Sequence, residues 1–330
     1  MKMQPSSRHV SIDANALLAF IILFAVSFIV VLLAIIYIFP FSGDYFEYYK
    51  NFMGLGGERF EIGYKAVQGF YQLIFPSKSE INFLMFIAVL SMLSLSLKCI
   101  VATTIQPNII LVFMFVYFPY LFLLHEANQI RASLAIAVAV LAILFMYKNR
   151  TTMAVFTVFV SILFHYSMVL FFIPLVFLIF HKHTMKLYYA SGLLIVCLLS
   201  VFDPALLGNI NPLVNKYIVS ALDYSFNPFY IILLSSIFII GLTRYRQQSQ
   251  FQNALLNGYF ITFCFAMALS NIPIIAVRIM DIANVIGFYY VFSIKISSSI
   301  KVLVLYLLLF AIALPRFYVF MTTDTIYKFG

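Results

Sequence analysis

The sequence predicts an all-α fold: a polytopic integral membrane protein of about eleven transmembrane helices, within a range of about 10–12, around a polar cavity that faces outward. Three observations carry this. Hydrophobic residues make up 64% of the 330-residue chain and charged residues 9%, more apolar surface than a soluble core of this size uses. The apolar runs are long and mostly free of charge. They do not alternate apolar and polar residues, as the strands of a membrane barrel would.

The elements follow in order. The first apolar run, 16–39, is too long for the core of a signal peptide and is followed by no small-residue cleavage site, so it reads as a retained helix. Further spans are expected at 81–97, 108–124, 132–147, 152–164, 168–180, 188–202, 228–242, 254–273, 282–294 and 302–314. A full crossing takes about 20 residues. The short pair 152–164 and 168–180 therefore reads either as two crossings or as one interrupted, half-depth hairpin. The whole chain, 1–330, is one transmembrane domain. Residues 41–80 form a first outer loop, whose stretch "GYKAVQGFYQLIF" has the spacing of an interfacial helix. Residues 203–227 form a second outer loop.

Loop charges set the orientation. With the N-terminus in the cytoplasm beside Lys2 and Arg8, alternate crossings put Lys98, Lys148, Arg150, Lys182, Lys186, Arg244, Arg246, Lys295 and Lys301 inside. Of the 11 acidic residues only Asp13 falls inside. The outer face thus carries the mixed-charge chemistry. The net charge of +9 lies in short loops and makes no basic face for nucleic acid. Cys99, Cys197 and Cys264 each sit in an apolar run and read as small hydrophobes rather than as a disulfide or zinc framework.

Five outer stretches bring ionisable groups to the ends of apolar runs: Asp44 and Glu47 in "SGDYFEYY", Glu58 and Glu61 in "GERFEIGY", "HEANQIR", His165 in "FHYS", and Arg278 with Asp281 in "VRIMD". Such groups at membrane depth cost roughly 2.5–3.5 kcal/mol each, so they pair or line a wet cavity. In "HEANQIR", Asn128 and Arg131 share a face of a helix expected to start near Ala127, with His125 and Glu126 ahead of them. The small residues Ala132, Ser133, Ala135, Ala137 and Ala139 favour close helix packing there. Arg131 either pairs with Glu126 or a lipid phosphate, or offers its planar fork to a substrate phosphate. Arg278 is either neutralised by Asp281 or steered by it toward an anion. His165 sits at the break between two short helices, where a protein-lined polar cavity suits freed backbone groups. His181 and His183 read as a solvated inner turn. Asp44 with Glu47 is a poor metal pair without a histidine nearby, so neither a metal nor another cofactor is expected. Asp44 or Glu47 can instead accept a proton from a sugar hydroxyl.

The blocks "SGDYFEYYKNF", "ERFEIGYKAVQGFYQLIF", "NQIRASLAIAVAVLAI", "FHYSMVLFFIPLVF" and "VRIMDIANVIGFYY" resemble, in this order, the EpsG-like family of bacterial membrane proteins, of the Wzy type that polymerises O-antigen, capsule and exopolysaccharide. His125 and Glu126 stand outside the resemblance, whose usual lead-in is a plainer Asn-x-x-Arg. The resemblance implies a glycosyltransferase in the bacterial inner (plasma) membrane that works on its periplasmic or outer side. It would join undecaprenyl-diphosphate-linked oligosaccharide repeat units en bloc, alongside membrane lipid and a polysaccharide chain-length regulator. In that reading Arg131, Arg278 and Asn128 hold the diphosphate, and Asp44, Glu61, Glu126 and His165 supply the catalytic groups. Asp281 and His125 support them. Two other readings use the same residue types: a transporter or flippase of lipid-linked oligosaccharide, and a membrane O-acyltransferase of glycans.

Overall fold

The computed structural model describes residues 14–42, 44–56, 60–105, 117, 122, 125, 126, 129–179, 192, 249–270 and 272–294. The expected spans 188–202 (apart from Gly192), 228–242 and 302–314, the loop 203–227, most of 108–124, and Glu58, Asn128, His181, His183 and Cys197 lie outside these. Among the described residues the regular structure is helical throughout. The helices are α1 (Ala14–Tyr37), α2 (Tyr45–Met53), α3 (Ile62–Ile74), α4 (Glu80–Ile105), α5 (Ile130–Tyr147), α6 (Thr151–Phe164), α7 (Phe172–Ile179), α8 (Gln250–Ala268) and α9 (Pro273–Ser293), with 3₁₀ turns at Phe39–Phe41 and Tyr166–Phe171. Two of them, α4 and α5, are long and apolar enough to cross a membrane. A third candidate is the pair Ala25–Phe41 and Tyr45–Met53, bent by 99°, if it is taken as one broken span.

Local chemistry sets the boundaries. Glu47 lies in the first turn of α2 and Lys50 in its last, each facing the complementary end of the helix dipole. The helix stops at Gly54, whose φ of 77° is left-handed and whose N–H caps the last carbonyls. Ser249 and Gln252 close a reciprocal capping box ahead of α8. Pro273 opens α9 rather than closing the preceding span, since its missing N–H costs nothing in a first turn. Arg278 and Asp281, expected before a span at 282–294, therefore lie inside a helix. The segment at 152–180 is interrupted at His165, whose backbone is extended between α6 and the 3₁₀ turn.

The bundle is turned inside out relative to a soluble protein. Ile81, Met85, Val89 and Leu93 recur every four residues along α4 and are 46–72% exposed. Phe156, Phe159 and Leu163, three and four residues apart on α6, are exposed in the same way. Meanwhile Ser91, Ser94, Lys98, Ser133 and Glu126 are buried. An apolar outside over a polar inside is what lipid selects. The small residues of α5 sit where they were expected to matter: Ala135, Ala137 and Ala139 are 0% exposed against α4 and α6.

One charge moves. Lys98 is not a loop residue at the inner end of a span, because α4 continues past it to Ile105. Its Nζ lies 2.6 Å from Glu126 Oε1, with both side chains buried. The alternating scheme put these two residues on opposite faces of the membrane; the ion pair puts them at one depth. Tyr117, Ser133 and Ser94 complete the cluster. Lys98 Nζ donates to Tyr117 Oη at 2.7 Å and to Ser133 Oγ at 2.8 Å, and Ser133 Oγ donates to Glu126 Oε2 at 2.7 Å. The Ser94 and Ser133 hydroxyls meet at 2.7 Å.

Candidate functional site

The site assembles around the first turn of α5. Arg131 is its second residue, so its backbone N–H has no partner within the helix. Tyr48, from α2, supplies one: its hydroxyl oxygen accepts from Arg131 N at 3.0 Å and from Arg131 Nε at 3.2 Å. The guanidinium lies over the Phe60 ring, 4.4 Å from its centroid, and 5.3 Å from that of Tyr48. Stacking of this kind contributes about 0.5–2 kcal/mol.

Glu61 precedes α3 and closes the arrangement. Its Oε2 accepts from Arg131 Nη1 at 2.7 Å, and its Oε1 lies 2.9 Å from His165 Nδ1. Burial lifts the Glu61 carboxyl, but the His165 bond and the Arg131 charge outweigh it and hold the group below the usual carboxylate range. Glu61 is therefore an anion that only accepts, which makes His165 Nδ1 the donor and leaves Nε2 facing away from Glu61. The contact rests on helix packing. A Cβ at Gly63 would stand 2.7 Å from the Leu163 carbonyl oxygen, so only glycine lets α3 approach α6 closely enough for Glu61 to meet His165.

The second arginine comes from α9. Arg278 Nη1 donates to the Gln129 side-chain oxygen, two residues before Arg131. Its partner is neutral, and no carboxylate lies within ion-pair distance of it among the described residues. Arg131 likewise keeps Nη2 clear of any described acceptor. Both guanidinium charges act on the Asp44 carboxylate and on the His165 ring. The two arginines, 147 positions apart in the chain, thus act on the same two groups. Asp44 is half-buried ahead of α2, and its carboxylate hydrogen-bonds to no described residue.

The structure brings Asp44, Glu61, Arg131, His165 and Arg278 together and takes Glu126 elsewhere. Glu126, expected among the outer acids, is bound into the Lys98 cluster. Arg131 pairs with Glu61 rather than with Glu126. The helix starts at Ile130, not near Ala127, so Gln129 occupies the entrance. His125 is fully buried, and Asp281 is buried one turn along α9 from Arg278 without forming an ion pair with it. Glu47 is exposed. No group of three or more His, Cys, Asp or Glu residues with a metal-holding arrangement occurs among the described residues. Sequence reading missed Tyr48, Phe60, Gln129 and Lys98. Of these, Lys98 carried a signal, since it is the lone charge in the apolar run that begins at Ile81.

Chemically, the cluster offers two guanidinium groups, one carboxylate without a described hydrogen-bond partner and one imidazole oriented by an ionised acid. It suits an anion with several oxygens next to a hydroxyl that must lose a proton.

No match to a curated protein or to a solved structure is found. The model of the EpsG family matches residues 21–329, nearly the whole chain. The chain belongs to the EpsG family, a family of polysaccharide polymerase-like membrane proteins.

Proposed function

We propose that this membrane protein is a glycosyltransferase that polymerises undecaprenyl-diphosphate-linked repeat units on the outer side of the bacterial inner membrane. One observation supports the reading: Arg131 on α5 and Arg278 on α9 both act on the carboxylate of Asp44, ahead of α2, which hydrogen-bonds to no described residue. Arg131 and Arg278 grip the diphosphate of the donor. Asp44 takes the proton from the acceptor sugar hydroxyl as that oxygen bonds to the anomeric carbon. The bond from that carbon to the diphosphate oxygen breaks, and the electron pair leaves on the diphosphate, where the arginines stabilise the charge. Donors aimed at a developing oxyanion are usually the largest single contribution to such a rate, about 3–4 kcal/mol for one donor. Glu61, Tyr48 and Phe60 hold Arg131 still, so its order is set before substrate arrives. Family membership supports the polymerase-like character, and the apolar outer faces of α4 and α6 support the membrane setting.

Purified protein given synthetic lipid-linked repeat units tests it. A ladder of products supports the reading. Transbilayer movement of the lipid without a ladder favours a flippase, and acylated sugar favours an acyltransferase. Ladders of normal length from both Arg131→Ala and Arg278→Ala would overturn the assignment of the clamp.

A further inference from the structure

Arg278, Asp281 and Asn284 follow one another at three-residue spacing on α9. Beyond Arg278 the row leaves the cluster for the bundle interior: Asp281 is 2% exposed and Asn284 0%. Neither carboxyl oxygen of Asp281, and neither the oxygen nor the nitrogen of the Asn284 amide, hydrogen-bonds to a described residue. Buried polar atoms are nearly always paired, and two adjacent side chains with all four atoms unpaired point to a ligand.

Burial limits what that ligand can be. At 2% and 0% exposure there is no opening for a sugar, and two side chains offer too few oxygens for a cation. A bare carboxylate in a bundle interior without donors is the least favourable state of all. The groups on the elements packed against α9 do not relieve it. Lys98 on α4 is bound to Glu126, and His165, ahead of the 3₁₀ turn, is bound to Glu61. Tyr259 and Cys264 on α8 carry no charge. Among the described residues Arg278 is the one charged group acting on Asp281, and its hydrogen bond goes to Gln129. A proton solves the problem without needing space. A neutral carboxylic acid leaves no bare charge in the interior, and Arg278, three residues away on the same helix, is a neighbour that a carboxylate there would attract.

We propose that Asp281 is a proton-binding site, and that its ionisation competes with the diphosphate for Arg278. When the proton leaves to water, the new carboxylate draws Arg278 off Gln129 and out of the clamp. Linkage runs both ways: an anion on Arg278 tightens the hold of Asp281 on its proton. The competition rests on the clamp reading above, whereas the proton site stands without it.

Two measurements test this on the full-length protein in detergent. The first is an infrared spectrum at mildly acidic pH, where an ordinary aspartate is ionised, with ¹³C-labelled aspartate. A neutral-acid carbonyl band is expected in the wild type and lost in D281N, and a wild type without the band overturns the proton site. The second is binding of inorganic pyrophosphate from mildly acidic to alkaline pH, with D281N in parallel to cancel the titration of pyrophosphate itself. Affinity should fall about tenfold more in the wild type than in D281N, the size of a single charge interaction. Equal pH dependence in the two overturns the competition. No pyrophosphate binding by either overturns the clamp, and the infrared band still decides the proton site.

Discussion

Arg131 Nη1 donates to Glu61 Oε2 at 2.7 Å across 70 positions of sequence. The same carboxylate reaches His165 through its other oxygen. Glu61 thus ties the first turn of α5 to the break after α6 and fixes an arginine that would otherwise swing on its long side chain. Replacing the carboxylate by an amide of the same shape keeps the packing and removes the charge. Glu61→Gln is expected to lower polymerising activity by about 10²-fold, as expected when a charge-stabilising donor is misplaced. The loss should fall in kcat, with donor KM little changed, and steady-state kinetics on a fixed acceptor check the split.

The same residue fixes a pH dependence. Its folded carboxyl lies below the ordinary range, so its contribution to stability is fully present above the ordinary carboxylate pKa. That contribution disappears only as pH falls through the depressed folded value. The wild type should therefore start to lose melting temperature as pH falls below the ordinary carboxylate value and go on losing it down to the depressed folded one. Glu61→Gln should start lower and show a flatter acid limb. Thermal unfolding in detergent across that window is the measurement, and identical acid limbs would count against the Glu61–His165–Arg131 arrangement.

Tyr48 is a cap supplied from another helix. One oxygen serves both the unpaired N–H of α5 and the side chain of Arg131. Tyr48→Phe keeps the ring under the guanidinium and deletes only the acceptor. A destabilisation of about 1–3 kcal/mol is expected from the buried N–H left without a partner. Activity should drop further than in a Phe60→Leu variant, which weakens stacking but leaves the hydrogen bonds. Comparing the two variants in unfolding and ladder assays separates the contributions.

The α3–α6 crossing gives a sharper structural test. Gly63 meets backbone, not a flexible side-chain tip, so a methyl group there cannot be accommodated by a rotamer change. Gly63→Ala should push α3 away from Leu163, lengthen the Glu61–His165 contact and cost about 1–3 kcal/mol. The variant at the uncrowded Gly69, where nothing lies within 4 Å of an added Cβ, should be neutral or slightly stabilising. A tolerated Gly63→Ala with full activity would show that the close approach is not needed.

Part of this was legible in the sequence for a definite reason. Lipid demands long apolar runs, and charges among them stand out, so Arg131, His165, Arg278, Asp44 and Glu61 could be picked without coordinates. What sorts those charges into partners is tertiary. Glu126 and Glu61 look alike on paper, yet one meets Lys98 and the other Arg131, because residues of α4 and α5 happen to face them. Tyr48 and Phe60 were hidden among the many aromatic residues of the chain, and membrane interfaces favour tyrosine anyway. Helix ends were misjudged where an apolar run contains a buried charge. α4 runs through Lys98 because that charge is neutralised inside the bundle, and α9 starts at Pro273 because Arg278 finds Gln129 there.

The Lys98–Glu126 pair yields the last prediction. Both side chains are buried, 2% and 0% exposed, and every polar atom around them is engaged: Tyr117 Oη donates to Glu126 Oε1 at 2.6 Å, and Ser91 Oγ to the Glu126 carbonyl at 2.7 Å. A buried pair of this kind is weak grounds for net stability, but half of it is worse than none. Lys98→Met or Glu126→Gln alone strands a group in an apolar interior and should cost about 3–5 kcal/mol, whereas Lys98→Met combined with Glu126→Leu should recover much of that loss. Because Ser133, two residues beyond Arg131, is part of the same cluster, the single variants should also loosen the clamp and weaken donor binding. The double variant should regain stability first and donor binding only in part. A double variant no more stable than the worse single one would mean that the cluster positions the chain around Glu126 through its hydrogen bonds rather than through charge balance.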